Sequence, residues 1–318
     1  DVTITGAISG AFGLQETGPA NLALASPPAP GPANPNTYSG LTQVFGGTLL
    51  LSKRAGVAVP SDLSIVGPGT VRLTAPGQIA AGSNVTFDAT VGPATLDLNG
   101  NAQTLASVQI GPGFTPPSPQ NDVLNVGAGA LTLGHAIANS IGTLSINTAG
   151  GGQVNLGAGS LSIVYGSGPD PAATIRFYLA SGYAGGAWSG PGLMTSAGLA
   201  LGYADAADGI VAGLAPGTLL VKYARPGDAN LDGQVNFADL VNLARHFGKT
   251  NAGWDLGDFD YDGKIGFSDF VTLARNFGKS ALSAAVFASA AALVKASVMA
   301  GDSLPLDPST FLRRRRTR

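Results

Sequence analysis

The sequence predicts a mainly β protein, a β-solenoid followed by a small α-helical unit and a flexible tail. Three observations carry this reading. Gly 47 and Pro 21 among 318 residues punctuate short runs in which apolar residues alternate with small or polar ones, the period-two pattern of half-buried strands. The runs are quasi-repetitive, with small residues at turns, Asn at corners and little charge, which favours a stacked solenoid over the sandwich that also fits. Helical periodicity beyond two turns is absent from residues 1–165 and becomes clear only after residue 226.

Taken in order, residues 1–165 contain "DVTITGAISG", "GTLLLSK", "DLSIVGPGTVRLTA", "SNVTFDATV", "ATLDLNG", "DVLNVGAGALTLG", "GTLSINT" and "GQVNLGAGSLSIVYG". Turn residues recur at roughly the 8–12-residue spacing of sheet-built folds. The Pro-rich stretches 26–36 and 111–121 read as surface excursions from the stack. Hydrophobic content of 44% and mean hydropathy of +0.24 are enough for a sizeable core.

"GAISGAFGL" at 6–14 followed by "NTYSGLTQVFGGTLLL" at 36–51 resembles the autotransporter-associated β-strand repeat of bacterial surface proteins. The matching positions are Gly6, Gly10, Gly13, Asn36, Thr37, Tyr38, Gly40, Thr42, Gly47, Thr48 and Leu49. "TLDLNGNAQTLASV" at 95–108 is similar to another element common in such proteins. The resemblance implies a right-handed β-solenoid displayed at the cell surface or outside the cell.

Residues 166–225 hold most of the tyrosines and one of the two tryptophans. They read as an aromatic-rich β region that closes the solenoid through Phe177, Tyr178, Tyr183 and Trp188, because an open solenoid end has to be covered. The alternative is a carbohydrate platform, since flat rings stack on sugars.

The densest chemical signal lies in 226–280. Residues 227–250, "GDANLDGQVNFADLVNLARHFGKT", and 257–280, "GDFDYDGKIGFSDFVTLARNFGKS", are identical at 13 of 24 positions. Eight of the chain's 18 aspartates lie between Asp228 and Asp269, although only 11% of all residues are charged. Alternate spacing converges Asp228, Asn230 and Asp232 in one copy and Asp258, Asp260 and Asp262 in the other, with Gly233 and Gly263 at the sharp turn. The carbonyls of Gln234 and Lys264, and the side chains of Asp239 and Asp269 in the first turn of a following helix, complete each shell. An oxygen-only set suits two Ca²⁺ ions. Phe237, Leu240, Val241, Ala244 and Phe247 form an apolar stripe on the first helix, and Phe267, Phe270, Val271, Ala274 and Phe277 repeat it on the second. The stripes are expected to pack on each other, and metal binding to supply much of the unit's folding energy.

A tandem loop–helix pair without entering helices resembles a type I dockerin module of F-hand type, over Gly227 to about Gly278. The resemblance implies two Ca²⁺ sites, antiparallel helices related by a pseudo-twofold axis, and binding to a cohesin on another protein. It places partner recognition at Phe237 with Ala238, Phe267 with Ser268, Arg245 with Lys249, and Arg275 with Lys279.

The tail, 281–318, combines the Ala-rich "ALSAAVFASAAALVKASVMAG" with a basic end carrying five of the 17 basic residues. It resembles C-terminal sorting signals of the PEP-CTERM type, and membrane contact is expected only through that end. A net charge of −2 gives no basic face for nucleic acid. Zero cysteine removes disulfides, thiolate nucleophiles and Cys-ligated zinc. His135 and His246 are the only histidines, Glu16 the only glutamate, and the acids of residues 1–220 are scattered. The expectation is a non-catalytic extracellular or cell-surface protein that attaches to a cohesin-like or other surface protein through Ca²⁺. The rival is a carbohydrate-active β-helix that binds or degrades polysaccharide.

Overall fold

Each alternating run places its aliphatic residues on one face, and parallel pairing lays those residues on top of one another from coil to coil. In the computed structural model, which describes residues 1–29, 31, 34–88, 92–111 and 122–280, this produces a parallel β-solenoid. One seven-stranded sheet stacks Val2–Ile4, Asn21–Ala25, Thr48–Ser52, Thr70–Leu73, Thr95–Asp97, Val123–Gly127 and Thr143–Ile146. Its register aligns Leu22, Leu49, Val71, Leu96, Leu124 and Leu144 as a single buried ladder. A five-stranded sheet forms a second face, in which Val44, Ile65 and Phe87 are in register and fully buried. The third face stacks Leu131, Val154 and Leu193.

Buried amides hold the corners. Asn36 accepts from Ile8 N at 2.9 Å and donates to Ala58 O at 2.7 Å, joining three coils. Gln78 on Lys53, Gln103 on Ile79 and Asn139 on Val108 repeat the device. Each satisfies backbone groups that a corner would otherwise bury without partners.

On the face begun by Asn139–Ile141 the parallel pairing ends at Ser160–Val164, whose free edge takes Thr218–Ala224 antiparallel, followed by Ala200–Asp205. Residues 166–225 do contribute three strands, Gly192–Met194, Ala200–Asp205 and Thr218–Ala224, but they also contain an unforeseen 12-residue helix, α1 (Ala172–Tyr183). Its sequence, AATIRFYLASGY, is rich in helix-compatible residues and lacks a β-branched run, and Asp170 accepts from Ala172 N at 2.7 Å at its start. Gly182 lets α1 approach the strand Gly192–Met194, because a Cβ there would lie 1.8 Å from Leu193 O. Of the four proposed capping rings, Tyr178 and Trp188 are buried and Tyr183 is half-buried, whereas Phe177 is 58% exposed.

Two further helices follow, α2 (Phe237–His246) and α3 (Phe267–Asn276). No helix among the described residues is long and apolar enough to cross a membrane. The Pro-rich excursion at 112–121 and the tail at 281–318, with its proposed sorting signal, lie outside the described residues.

Candidate metal centre

The two copies of the repeat fold around each other reciprocally. Val235, in the first loop, donates to Lys279 O at 2.9 Å and its carbonyl accepts from Gly278 N at 2.8 Å. Ile265, in the second loop, donates to Lys249 O at 3.0 Å and accepts from Gly248 N at 2.8 Å. Each loop therefore pairs with the segment that leaves the other copy's helix. Gly257 packs on Leu243 and Gly227 on Leu273, and a Cβ at either glycine would sit about 3 Å from the opposing Leu Cα. Every one of these contacts has its twin 30 residues away.

Within each loop the polar groups occupy equivalent places. Asp228 Oδ2 accepts from Gly233 N at 3.0 Å, and Asp258 Oδ2 accepts from Gly263 N at 3.0 Å. Gly233 (φ 93°) and Gly263 (φ 83°) sit in the left-handed region at the expected sharp turn. Asn230 accepts from Asp232 N, and Asp260 from Asp262 N. Asp232 and Asp262 accept from Gln234 N and Lys264 N, each at 2.8 Å. Asp239 caps α2 by accepting from Asn236 N and also accepts from Ala229 N, both at 2.8 Å. Asp269 does the same at α3 with Gly266 N and Phe259 N.

These bonds leave a deficit. Asp228 and Asp258 are buried, and the Oδ1 atom of each has no hydrogen-bond partner. Carboxylate oxygens of Asp258, Asp260 and Asp262 lie within 4.8 Å of one another. Burial, then the charge of Asp239, pushes the Asp228 carboxyl up to about 7; burial, then Asp269, does the same to Asp258. A buried acceptor without a donor, surrounded by like charge, is costly unless a cation joins it. The donor set fits Ca²⁺: hard oxygens from Asp228, Asn230, Asp232 and Asp239, or from Asp258, Asp260, Asp262 and Asp269, with the Gln234 and Lys264 carbonyls beside them.

Contrary to expectation, most of each apolar stripe faces outward, although Leu240 packs partly buried against the core and Val241 and Val271 are half-buried. Phe237, Phe247, Phe267 and Phe277 are between 49% and 72% exposed, Phe270 is 40% exposed, and Ala244 and Ala274 face solvent. The buried helix residues are Asp239, Asn242 and Leu243 on α2, and Asp269 and Leu273 on α3. The cause is rotational. Asp239 and Asp269 have to turn inward to serve the loops, so residues three and four positions on share their face, and the phenylalanines turn out. Phe267 and Phe270 stack at 6.1 Å on that outer surface. The other residues of the expected partner face, Ala238, Ser268, Arg245, Lys249, Arg275 and Lys279, are exposed as well.

What closes the unit's core instead is the aromatic group between and within the loops. Tyr261, from the second loop, packs against Trp254 (5.7 Å), Trp188 (5.8 Å), Tyr183 (5.8 Å) and Tyr203 (6.4 Å), and its hydroxyl donates to Leu201 O. Trp254 is fully buried and donates Nε1–H to Asp228 O at 2.7 Å. Gly202 makes room for it, since a Cβ there would lie 2.5 Å from Trp254 Nε1. Lys222 Nζ donates to Leu231 O, and the Arg176 guanidinium to Asn251 O and Ala252 O. Asp228 is thus wired to the solenoid cap through one indole. Sequence reading missed Trp254 and Tyr261, although a tryptophan in the short link between two copies was a visible signal.

No family model matches this chain, and neither a curated protein nor a solved structure matches it.

Proposed function

We propose that the chain is a non-catalytic extracellular or cell-surface protein whose tandem loops bind two Ca²⁺ ions and so order a docking face for another protein, a cohesin-like domain or a different surface partner. The observation that carries this is the matched pair of buried, partnerless oxygens, Asp228 Oδ1 and Asp258 Oδ1, each ringed by acids at the same loop positions. A lone acidic turn is unremarkable, but the same deficit built twice in register implies a ligand. Ca²⁺ supplies counter-charge that lets these carboxylates ionise while buried. The chain's own residues orient the face: Asp239 and Asp269 fix the rotation of α2 and α3, which turns Phe237, Phe267, Arg245, Lys249, Arg275 and Lys279 outward. The solenoid serves as the stalk.

Pulldown from a bacterial surface extract, run in Ca²⁺ and then in EDTA, tests this reading with the full chain. Capture that needs Ca²⁺ and fails for Phe237→Ser/Phe267→Ser supports it; capture indifferent to both refutes it.

Polysaccharide binding is the second reading. It is favoured by a groove of about 360 Å³ lined by Tyr183, Trp188, Arg225, Arg275 and Asn276, which offers ring edges beside planar polar groups. Glycan-array binding abolished by Arg225→Gln, or turnover of a polysaccharide, would favour it over docking.

A further inference from the structure

A second group of acids lies outside both loops. Asp170, just before α1, and Asp205, at the end of the strand Ala200–Asp205, are in side-chain contact. Asp205 is 3% exposed; its Oδ1 accepts from Tyr165 OH and Ala207 N, both at 2.8 Å, and its Oδ2 has no partner. The Asp205 N–H donates at 3.2 Å to Asp255, which is fully buried, has its Oδ1 unpartnered and contacts Asp208. Among the described residues no lysine or arginine pairs with any of these four carboxyls, and the neighbouring Arg176 guanidinium is committed to backbone carbonyls. Beside Asp170 and Tyr165 opens a cavity of about 400 Å³, also lined by Thr143 and Thr174.

We propose that Asp170 and the free Oδ2 of Asp205 seat a third hard divalent cation of the Ca²⁺ class, with the cavity holding the waters that complete its shell. The donors are all oxygens, and two carboxylates with hydration suit a site of the weaker extracellular type, Kd about 10⁻⁴ to 10⁻³ M. The ion would join two segments of the solenoid cap: the stretch that links Ser160–Val164 to α1 and the end of Ala200–Asp205. In a chain without cysteine, it acts as the cross-link that a disulfide could otherwise supply. Burial raises the Asp205 carboxyl above its ordinary range, so a shared proton is the competing way to hold the pair.

Asparagine separates the two. Asp205→Asn and Asp170→Asn keep the oxygens that accept from Ala207 N and Ala172 N, and an amide mimics a protonated carboxyl but does not replace an anionic ligand. Equilibrium dialysis of the full chain at millimolar Ca²⁺ is expected to show one ion fewer for each variant than for the wild type, whatever number the loops bind. Asp228→Ala/Asp258→Ala is expected to keep this ion, so failure of the loop reading leaves the test intact. An unchanged count in both asparagine variants would overturn the proposal, as would an Asp205→Asn protein whose thermal midpoint equals or exceeds the wild type's and no longer differs from it in its response to Ca²⁺.

Discussion

The solenoid and the loop–helix pair solve the same burial problem with opposite chemistry. The solenoid buries mostly aliphatic ladders and neutral amides, with Lys53 and Asp122 as charged exceptions, and every corner amide named above finds backbone partners within neighbouring coils. The loop–helix pair buries carboxyls and leaves some of their oxygens without donors. The solenoid has orphaned polar atoms too, Ser83 Oγ and Asp122 Oδ1, but at isolated positions, whereas the loop–helix pair repeats the same orphan, Asp228 Oδ1 and Asp258 Oδ1, at the same place in each copy. The aromatic seam of Trp254 and Tyr261 joins them, and their buried residues form a single cluster. The acidic loops are therefore coupled mechanically to the β-stack.

The largest expected effect comes from cutting that seam. Trp254→Ala removes a fully buried ring and the donor to Asp228 O, and should cost about 3–5 kcal/mol in denaturant unfolding. If the regions are coupled it also weakens Ca²⁺ binding; unchanged affinity would show that the seam is only packing. Next is Leu96→Ala, inside the ladder, with a loss of about 2–5 kcal/mol. That loss should be the same in Ca²⁺ and in EDTA, and a Ca²⁺-dependent cost would blur the contrast between the regions.

Saturating Ca²⁺ is expected to stabilise the chain by about 2.7 kcal/mol per site when free ion reaches 100 times Kd, read as a rise in thermal midpoint that EDTA reverses. Acidity gives a sign-specific effect. Asp228 and Asp258 have folded values near 7, above the ordinary value of 3.8, so without metal the folded state holds their protons more tightly than the unfolded one. That contribution is fully present below about pH 4 and is lost as pH rises through about 7. With Ca²⁺ the demand reverses, because the ion needs the ionised carboxylates, and affinity should fall as pH drops through about 7. Parallel pH profiles with and without Ca²⁺ would remove this basis for the contrast. The smallest stability effect belongs to Phe267→Ser, at 72% exposure, expected to stay within about 0.5 kcal/mol while abolishing capture of the partner.

Much of this was legible in the sequence. Alternating runs and corner Asn residues predicted the solenoid because period two and amide bridging are local consequences of residue type. The loops were legible for the same reason: alternate aspartates and a glycine define a turn without reference to the rest of the fold. What sequence reading lost depended on rotation and distant packing. Phe237 and Leu243 both satisfy a helical spacing, and only the inward pull of Asp239 decides which is buried. The helix α1 was overlooked although its residues suit a helix, because its aromatics and Gly182 read as a turn-punctuated strand until Leu193 is placed against that glycine. Asp170, Asp205 and Asp255 are separated by tens of residues, so their meeting had no sequence signal.

The most direct test of the central claim is calorimetric titration of Ca²⁺ into the full chain and into the Asp228→Ala/Asp258→Ala variant. The double variant should take up two ions fewer than the wild type and lose the associated heat. Equal stoichiometry in the two proteins, or no uptake by the wild type, would contradict the account.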